Sequence, residues 1–160
     1  MGKITVILGT ILLISTSLRA APPPGFVPSG HQWYPCSVVR YSDPLKLSGT
    51  IGAINMRLLP RGRYHGFFAQ IEPGAGGGKL TGGWRYGKTA FLPLYSLGAS
   101  VSLMRTWGNP LGDVPADQTY VGSEVTASLA GIWLSAGAFT RLTGDNGGKW
   151  IYTLGIGAGI

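Results

Sequence analysis

The sequence predicts an all-β fold, an antiparallel up-and-down transmembrane β-barrel of eight strands whose outer surface meets lipid. Three observations carry this. Residues 149–160 alternate, with Trp150, Tyr152, Leu154, Ile156, Ala158 and Ile160 on one side and Ile151, Thr153, Gly155, Gly157 and Gly159 on the other. A half-buried strand in water sets polar side chains against apolar ones, whereas glycine opposite apolar marks a tightly curved sheet with an oily exterior. The 27 glycines run through apolar segments as well as loops; at roughly 1 kcal/mol per interior position they disfavour helix, and they lack the three-residue period of collagen. Segments of strand length also recur between turn-rich clusters from about Trp33 to the end of the chain.

The N-terminus sets the compartment. Lys3 precedes an apolar run over residues 4–18, and Ala20 offers a small residue for cleavage, so residues 1–20 read as a cleaved secretory signal peptide. The run is shorter than the roughly 20 apolar residues of a spanning helix. Residues 21–32, with Pro22, Pro23, Pro24 and Pro28, read as an extended periplasmic leader, and residues 33–160 as a single barrel domain. Without Lys3 and Arg19, 11 of the 13 basic residues remain against six acids. Export argues against nucleic acid as the partner of that charge and favours phosphate-bearing lipid or polysaccharide. The single Cys36 permits neither an intrachain disulfide nor a cysteine-based zinc site, and with Trp33, Tyr34 and Pro35 before it, it lacks the context of a lipid-attachment cysteine.

Taken in order, residues 33–41 and 47–58 read as extended, although their two faces are not cleanly separated. From Tyr64, the residues Phe67, Ala69 and Ile71 oppose Gln70 and Glu72. Leu80, Gly82, Trp84 and Tyr86 oppose Lys79, Thr81, Gly83 and Arg85. Tyr95, Leu97, Ala99, Val101 and Leu103 oppose Ser96, Gly98, Ser100 and Ser102. Val125, Ala127 and Leu129 oppose Glu124, Thr126 and Ser128, and Ile132, Leu134, Ala136 and Ala138 oppose Ser135, Gly137 and Arg141. The segment 149–160 is the eighth. Turn chemistry falls at residues 42–44, 60–62, 73–78, 108–115 and 144–148. Hydrocarbon offers no partner to unpaired backbone groups, so the sheet has to close. Eight strands of about 9–11 residues fit the chain and make the smallest such barrel, filled by its own side chains. With both termini periplasmic, residues 107–118 and 142–149 become outward loops, Ala130 and Gly131 a periplasmic turn, and residues 87–94 a longer periplasmic turn.

Several residues could carry chemistry. Glu72, Lys79, Arg85, Glu124 and Arg141 fall on the lumen faces, where unpaired charge is costly, and are expected to form a satisfied network that fixes register. Trp84 and Tyr95 are expected near the periplasmic rim, and Trp107, Trp150 and Tyr152 near the outer rim, where amphipathic rings settle. Arg105 and Lys149, beside outer-rim tryptophans, are candidates for anionic head groups. Residues 73–80 invite comparison with a phosphate-binding loop, but Pro73 stands where glycine is needed and Leu80 where a hydroxyl must reach magnesium. His31 and His65 have no spacing that implies a ligand set, and no serine stands in a nucleophile-elbow context. The sequence therefore implies no catalytic residue, metal or cofactor.

Thr153, Gly155, Ala158 and Ile160 have the spacing of the C-terminal insertion signal of bacterial outer-membrane barrels: a polar residue, glycine two later, then apolar or aromatic residues three and five beyond. The family usually ends in an aromatic residue, where this chain has Ile160. The remainder, residues 33–160, resembles small eight-stranded barrels such as the membrane domain of outer-membrane protein A and its relatives. That resemblance implies outer-membrane location, contact with lipid and lipopolysaccharide, and delivery by the barrel assembly machinery. It spans structural anchors, adhesins, resistance factors and a few lipid enzymes, so function has to come from the site. The expectation is a non-enzymatic envelope protein with a structural or surface-interaction role. The alternatives are a secreted soluble barrel or sandwich holding a small apolar ligand, and an outer-membrane lipid-modifying enzyme.

Overall fold

The computed structural model describes residues 30–89, 93–112, 114–144 and 149–159, and among them the chain is all-β apart from one 3₁₀ turn at Pro60–Gly62. The strands are β1 (His31–Ser42), β2 (Lys46–Leu58), β3 (Arg63–Gly74), β4 (Gly77–Thr89), β5 (Pro93–Thr106), β6 (Thr119–Leu129), β7 (Ile132–Thr143) and β8 (Trp150–Gly159). Each pairs antiparallel with the next. β8 then returns to β1, with Gly159 opposite Val38 and Gly155 opposite Ser42, so eight strands close into one ring. Residues 1–29, which hold the expected signal peptide and most of the leader, lie outside the described residues, as does Ile160.

Register fixes the ring's shape. A row of cross-strand partners runs from Trp33 through Asn55, Phe67, Trp84, Ala99, Val125 and Ala136 to Leu154. There the Leu154 carbonyl accepts the N–H of Asp43 at 3.0 Å, a residue just past the end of β1 and ten beyond Trp33, where the row began. An offset of that size tilts the strands by about 40° and leaves a bore narrow enough for side chains to fill.

Three boundaries differ from the sequence reading. β1 starts at His31, ahead of Trp33. The expected long turn over 87–94 shrinks because β4 runs to Thr89 and β5 starts at Pro93. The glycine cluster at 73–78 is mostly ladder, with Pro73 opposite Gly78 and Gly74 opposite Gly77, leaving Ala75 and Gly76 as the turn. Glycine at 78 has a packing reason: the Trp107 ring lies against it, where a Cβ would collide with the indole.

The distribution of side chains is inverted relative to a protein folded in water. Among the described residues, 19 polar or charged residues are buried against ten apolar ones, while 24 large apolar residues are exposed. Leu97, Val101 and Val125 are each 61% exposed and Leu154 is 69% exposed, whereas Thr81, Ser102, Glu72 and Arg40 are at most 2% exposed. Period-2 alternation therefore points most of the polar residues inward, with apolar ones such as Ile54 and Phe68 joining them toward the lower end.

The two ends of the ring differ. The upper end carries the connections after β1, β3, β5 and β7, and the described residues of the first three pack over it. Leu45, in the turn after β1, is 1% exposed and packs with Met104, Tyr120 and Phe139, with Val114 from the β5–β6 connection against them. The Trp107 N–H donates to the Gly76 carbonyl at 3.1 Å and the Leu111 N–H to the Pro44 carbonyl at 3.0 Å, so the loop is tied to two neighbouring turns. The lower end is oblique. β8 ends beside Val38, and the Gly159 N–H donates to the Gly131 carbonyl at 2.9 Å, so the Ala130–Gly131 turn stands well above His31 at the foot of β1. Pro35 lies in the part of β1 below the described pairing with β8, a position where a strand tolerates proline.

Candidate functional site

Alternation on β1, β3, β4 and β6 sends four charged side chains to one level of the bore. Arg40 Nη1 lies 3.3 Å from Glu72 Oε2 and 3.1 Å from Glu124 Oε1. Lys79 Nζ lies 3.1 Å from Glu72 Oε2 and 2.7 Å from Glu124 Oε2. Two cations and two carboxylates thus form a closed cycle in which every member touches both opposite charges. The Ser48 hydroxyl donates to Glu72 Oε1 at 2.7 Å, supplying the remaining carboxylate oxygen with a partner. All four charged side chains are at most 3% exposed. Charges so far from water persist only when paired and hydrogen-bonded, and the cycle is electrically neutral as a unit.

Of the five lumen charges singled out from sequence, Glu72, Lys79 and Glu124 meet in this cycle, while Arg85 and Arg141 do not join it. Arg85 is buried nearer the lower end. Its guanidinium carbon lies 4.4 Å from the ring centroids of both Phe68 and Trp133, so two aromatic faces take the place of a carboxylate. Arg141 is half-buried near the upper end, opposite Tyr120 in the β6–β7 ladder. Arg40 completes the cycle and was missed. Its signal was the parity of Cys36, Val38, Arg40 and Ser42 along β1, obscured because apolar residues share that inward face.

Around the cycle, the bore is filled by short polar pairs and two apolar layers. Thr81 and Ser102 hydroxyls are 2.8 Å apart, and those of Ser96 and Ser128 2.7 Å. Below lie Ile54, Tyr64 and Phe68, with Tyr34, Met56 and Leu58 against them. Gly155 makes room for the cycle, since a Cβ there would stand 3.4 Å from Arg40 Cδ, 2.9 Å from Ser42 Cβ and 2.7 Å from Ser135 Oγ. Of the residues matched to the insertion signal, Thr153 is buried in the bore and Ala158 is exposed on the outer face of β8.

The five aromatic residues expected at the interfaces, Trp84, Tyr95, Trp107, Trp150 and Tyr152, lie on the outer surface. Tyr95 is near the lower end, paired with Lys88 and Leu129, while Trp107, Trp150 and Tyr152 are at the upper end. Trp84 sits five residues inside the end of β4, deeper than a rim position, with its ring stacked on His65 at 5.0 Å and edge-on to Phe67 at 4.4 Å. Arg105 is already occupied: it donates to the Thr119 hydroxyl at 3.1 Å and lies 3.7 Å from Asp117. His31 and His65 are both on the outer surface, with His31 hydrogen-bonded to Asn55 at 2.9 Å, away from the serines of the bore. Among the described residues no group of three His, Cys, Asp or Glu is placed to hold a metal. No helix among them is long and apolar enough to cross a membrane.

Comparison with protein-family models, with curated proteins and with solved structures returns no match for this chain.

Proposed function

We propose that this chain is a non-enzymatic outer-membrane β-barrel, exported through a cleaved signal peptide, that serves the envelope as a structural or surface-interaction element. The observation that carries the reading is the inverted side-chain distribution. An apolar belt including Ile51, Ile71, Leu80, Leu97, Val101, Val125, Leu134 and Leu154 is exposed around the ring while charge is buried within it. In water, a surface of that kind far exceeds the few hundred Å² of apolar patch that a monomer tolerates; in hydrocarbon it is the favoured one, and the pairing of Val38–Ser42 with β8 supplies the ring closure that hydrocarbon requires. Aromatic residues above and below the aliphatic belt suit the two lipid–water interfaces. The filled bore supports an anchor and opposes a pore.

The soluble ligand-binding alternative needs an apolar cavity lining and a polar coat, the reverse of this arrangement. A lipid-modifying enzyme needs an activated nucleophile, and the described histidines and inward serines lie on opposite sides of the sheet. Cell fractionation combined with a gel-shift assay tests the proposal. The protein is expected in the outer-membrane fraction, and its unboiled form is expected to migrate apart from the boiled form in detergent. Recovery of a folded mature chain in buffer without detergent overturns the reading.

A further inference from the structure

Every acid in the sequence falls at Asp43 or later, and none lies in the lower connections at 59–62, 90–92 and 130–131. The described acids sit in the upper connections or in the buried cycle. The lower end of β1–β4 is the opposite case. His31, Arg57 and His65 are direct cross-strand neighbours in one row, Arg63 pairs with Lys88 in another, and Arg61 projects from the turn between β2 and β3. The Arg and Lys side chains are all exposed, and among the described residues no carboxylate lies within reach to neutralise them. Arg63 makes only a marginal hydrogen bond, from Nε to the Pro60 carbonyl at 3.5 Å.

An aromatic group stands directly above this row. Trp33 is 67% exposed, and Phe67 and Trp84 form the edge-to-face pair that carries His65 on the Trp84 face. An exposed tryptophan such as Trp33 beside a cationic row marks the boundary between hydrocarbon and phosphate, with the Phe67–Trp84 pair on its hydrocarbon side. We propose that the lower rim of β1–β4 binds the anionic phosphate head groups of phospholipids in the leaflet at that end of the barrel. This rests on the membrane reading above. It assigns head-group contact to the end opposite Arg105, which lies beside Asp117.

The test is competition between spin-labelled phosphatidylglycerol and phosphatidylcholine for the boundary of the mature protein, folded in phosphatidylcholine vesicles. The unaltered chain is expected to favour phosphatidylglycerol by about five-fold or more, and less in high salt. Arg57→Gln, Arg63→Gln and Lys88→Gln combined are expected to bring the ratio close to one. Arg57→Lys, Arg63→Lys and Lys88→Arg combined are expected to retain it. If the triple glutamine chain lacks the shifted band of a folded barrel, the single variants replace it, and each is expected to lower the ratio. A ratio near one for the unaltered chain, or an undiminished ratio in the glutamine variants, overturns the proposal. Failure of the unaltered chain to enter vesicles at all overturns the membrane reading, and this proposal with it.

Discussion

At the scale of single residues, the strongest constraint is mutual dependence within the buried cycle. Removing one carboxylate leaves Arg40 and Lys79 sharing the other, in a bore where neither cation finds water. Glu124→Gln is expected to cost about 3–5 kcal/mol, the usual penalty for orphaning a buried ion, read as a lowered urea midpoint for the vesicle-folded protein. The parity of β3, β4 and β6 was enough to find Glu72, Lys79 and Glu124. Arg40 was hidden because its face on β1 also carries Cys36 and Val38, so polarity could not tell inside from outside there. Arg85 illustrates another limit, since alternation assigned it to the bore but could not show that Phe68 and Trp133 stand where a carboxylate was expected.

At the scale of elements, strand positions were legible and connection lengths less so. Strands need only a period of two, which survives in every segment from β3 onward. A glycine cluster such as 73–78, however, can be turn or ladder with equal local ease, and cross-strand pairing decides. Two connections carry measurable consequences. Ala130 has φ of 49° in the two-residue turn before Gly131, a left-handed conformation that penalises a Cβ without a local hydrogen bond. Ala130→Asn is expected to stabilise the β6–β7 hairpin by about 0.5–1 kcal/mol in urea titration. In the turn after β1, burial raises the Asp43 carboxyl above its ordinary range. The folded state therefore holds that proton more tightly than the unfolded one. Its contribution to stability is greatest below the unfolded value and is lost as pH rises through the raised one. Asp43→Asn is expected to remove this component, measured as the pH-dependent difference in unfolding midpoint between the two proteins.

For the whole molecule, orientation of the two sheet faces is the property on which the membrane reading rests. Val101, exposed at mid-height on β5, reports it. Val101→Arg is expected to cost about 2–4 kcal/mol when the protein unfolds from a bilayer, measured by urea titration in vesicles; a negligible cost there would place that face in water. The sequence carried this inversion because glycine and serine alternate with large apolar residues. It could not carry the offset of ten residues around the ring, which arises only when β8 meets β1. That offset meeting leaves β8 ending beside Val38 while β1 continues down to His31. A cylinder cut on a slant cannot stand upright in a flat slab without stranding one flank. On the membrane reading the ring is therefore expected to lean, dipping the foot of the first strands into the aqueous layer and sparing the margin around Pro35, unpaired on the β8 side among the described residues, from contact with acyl chains.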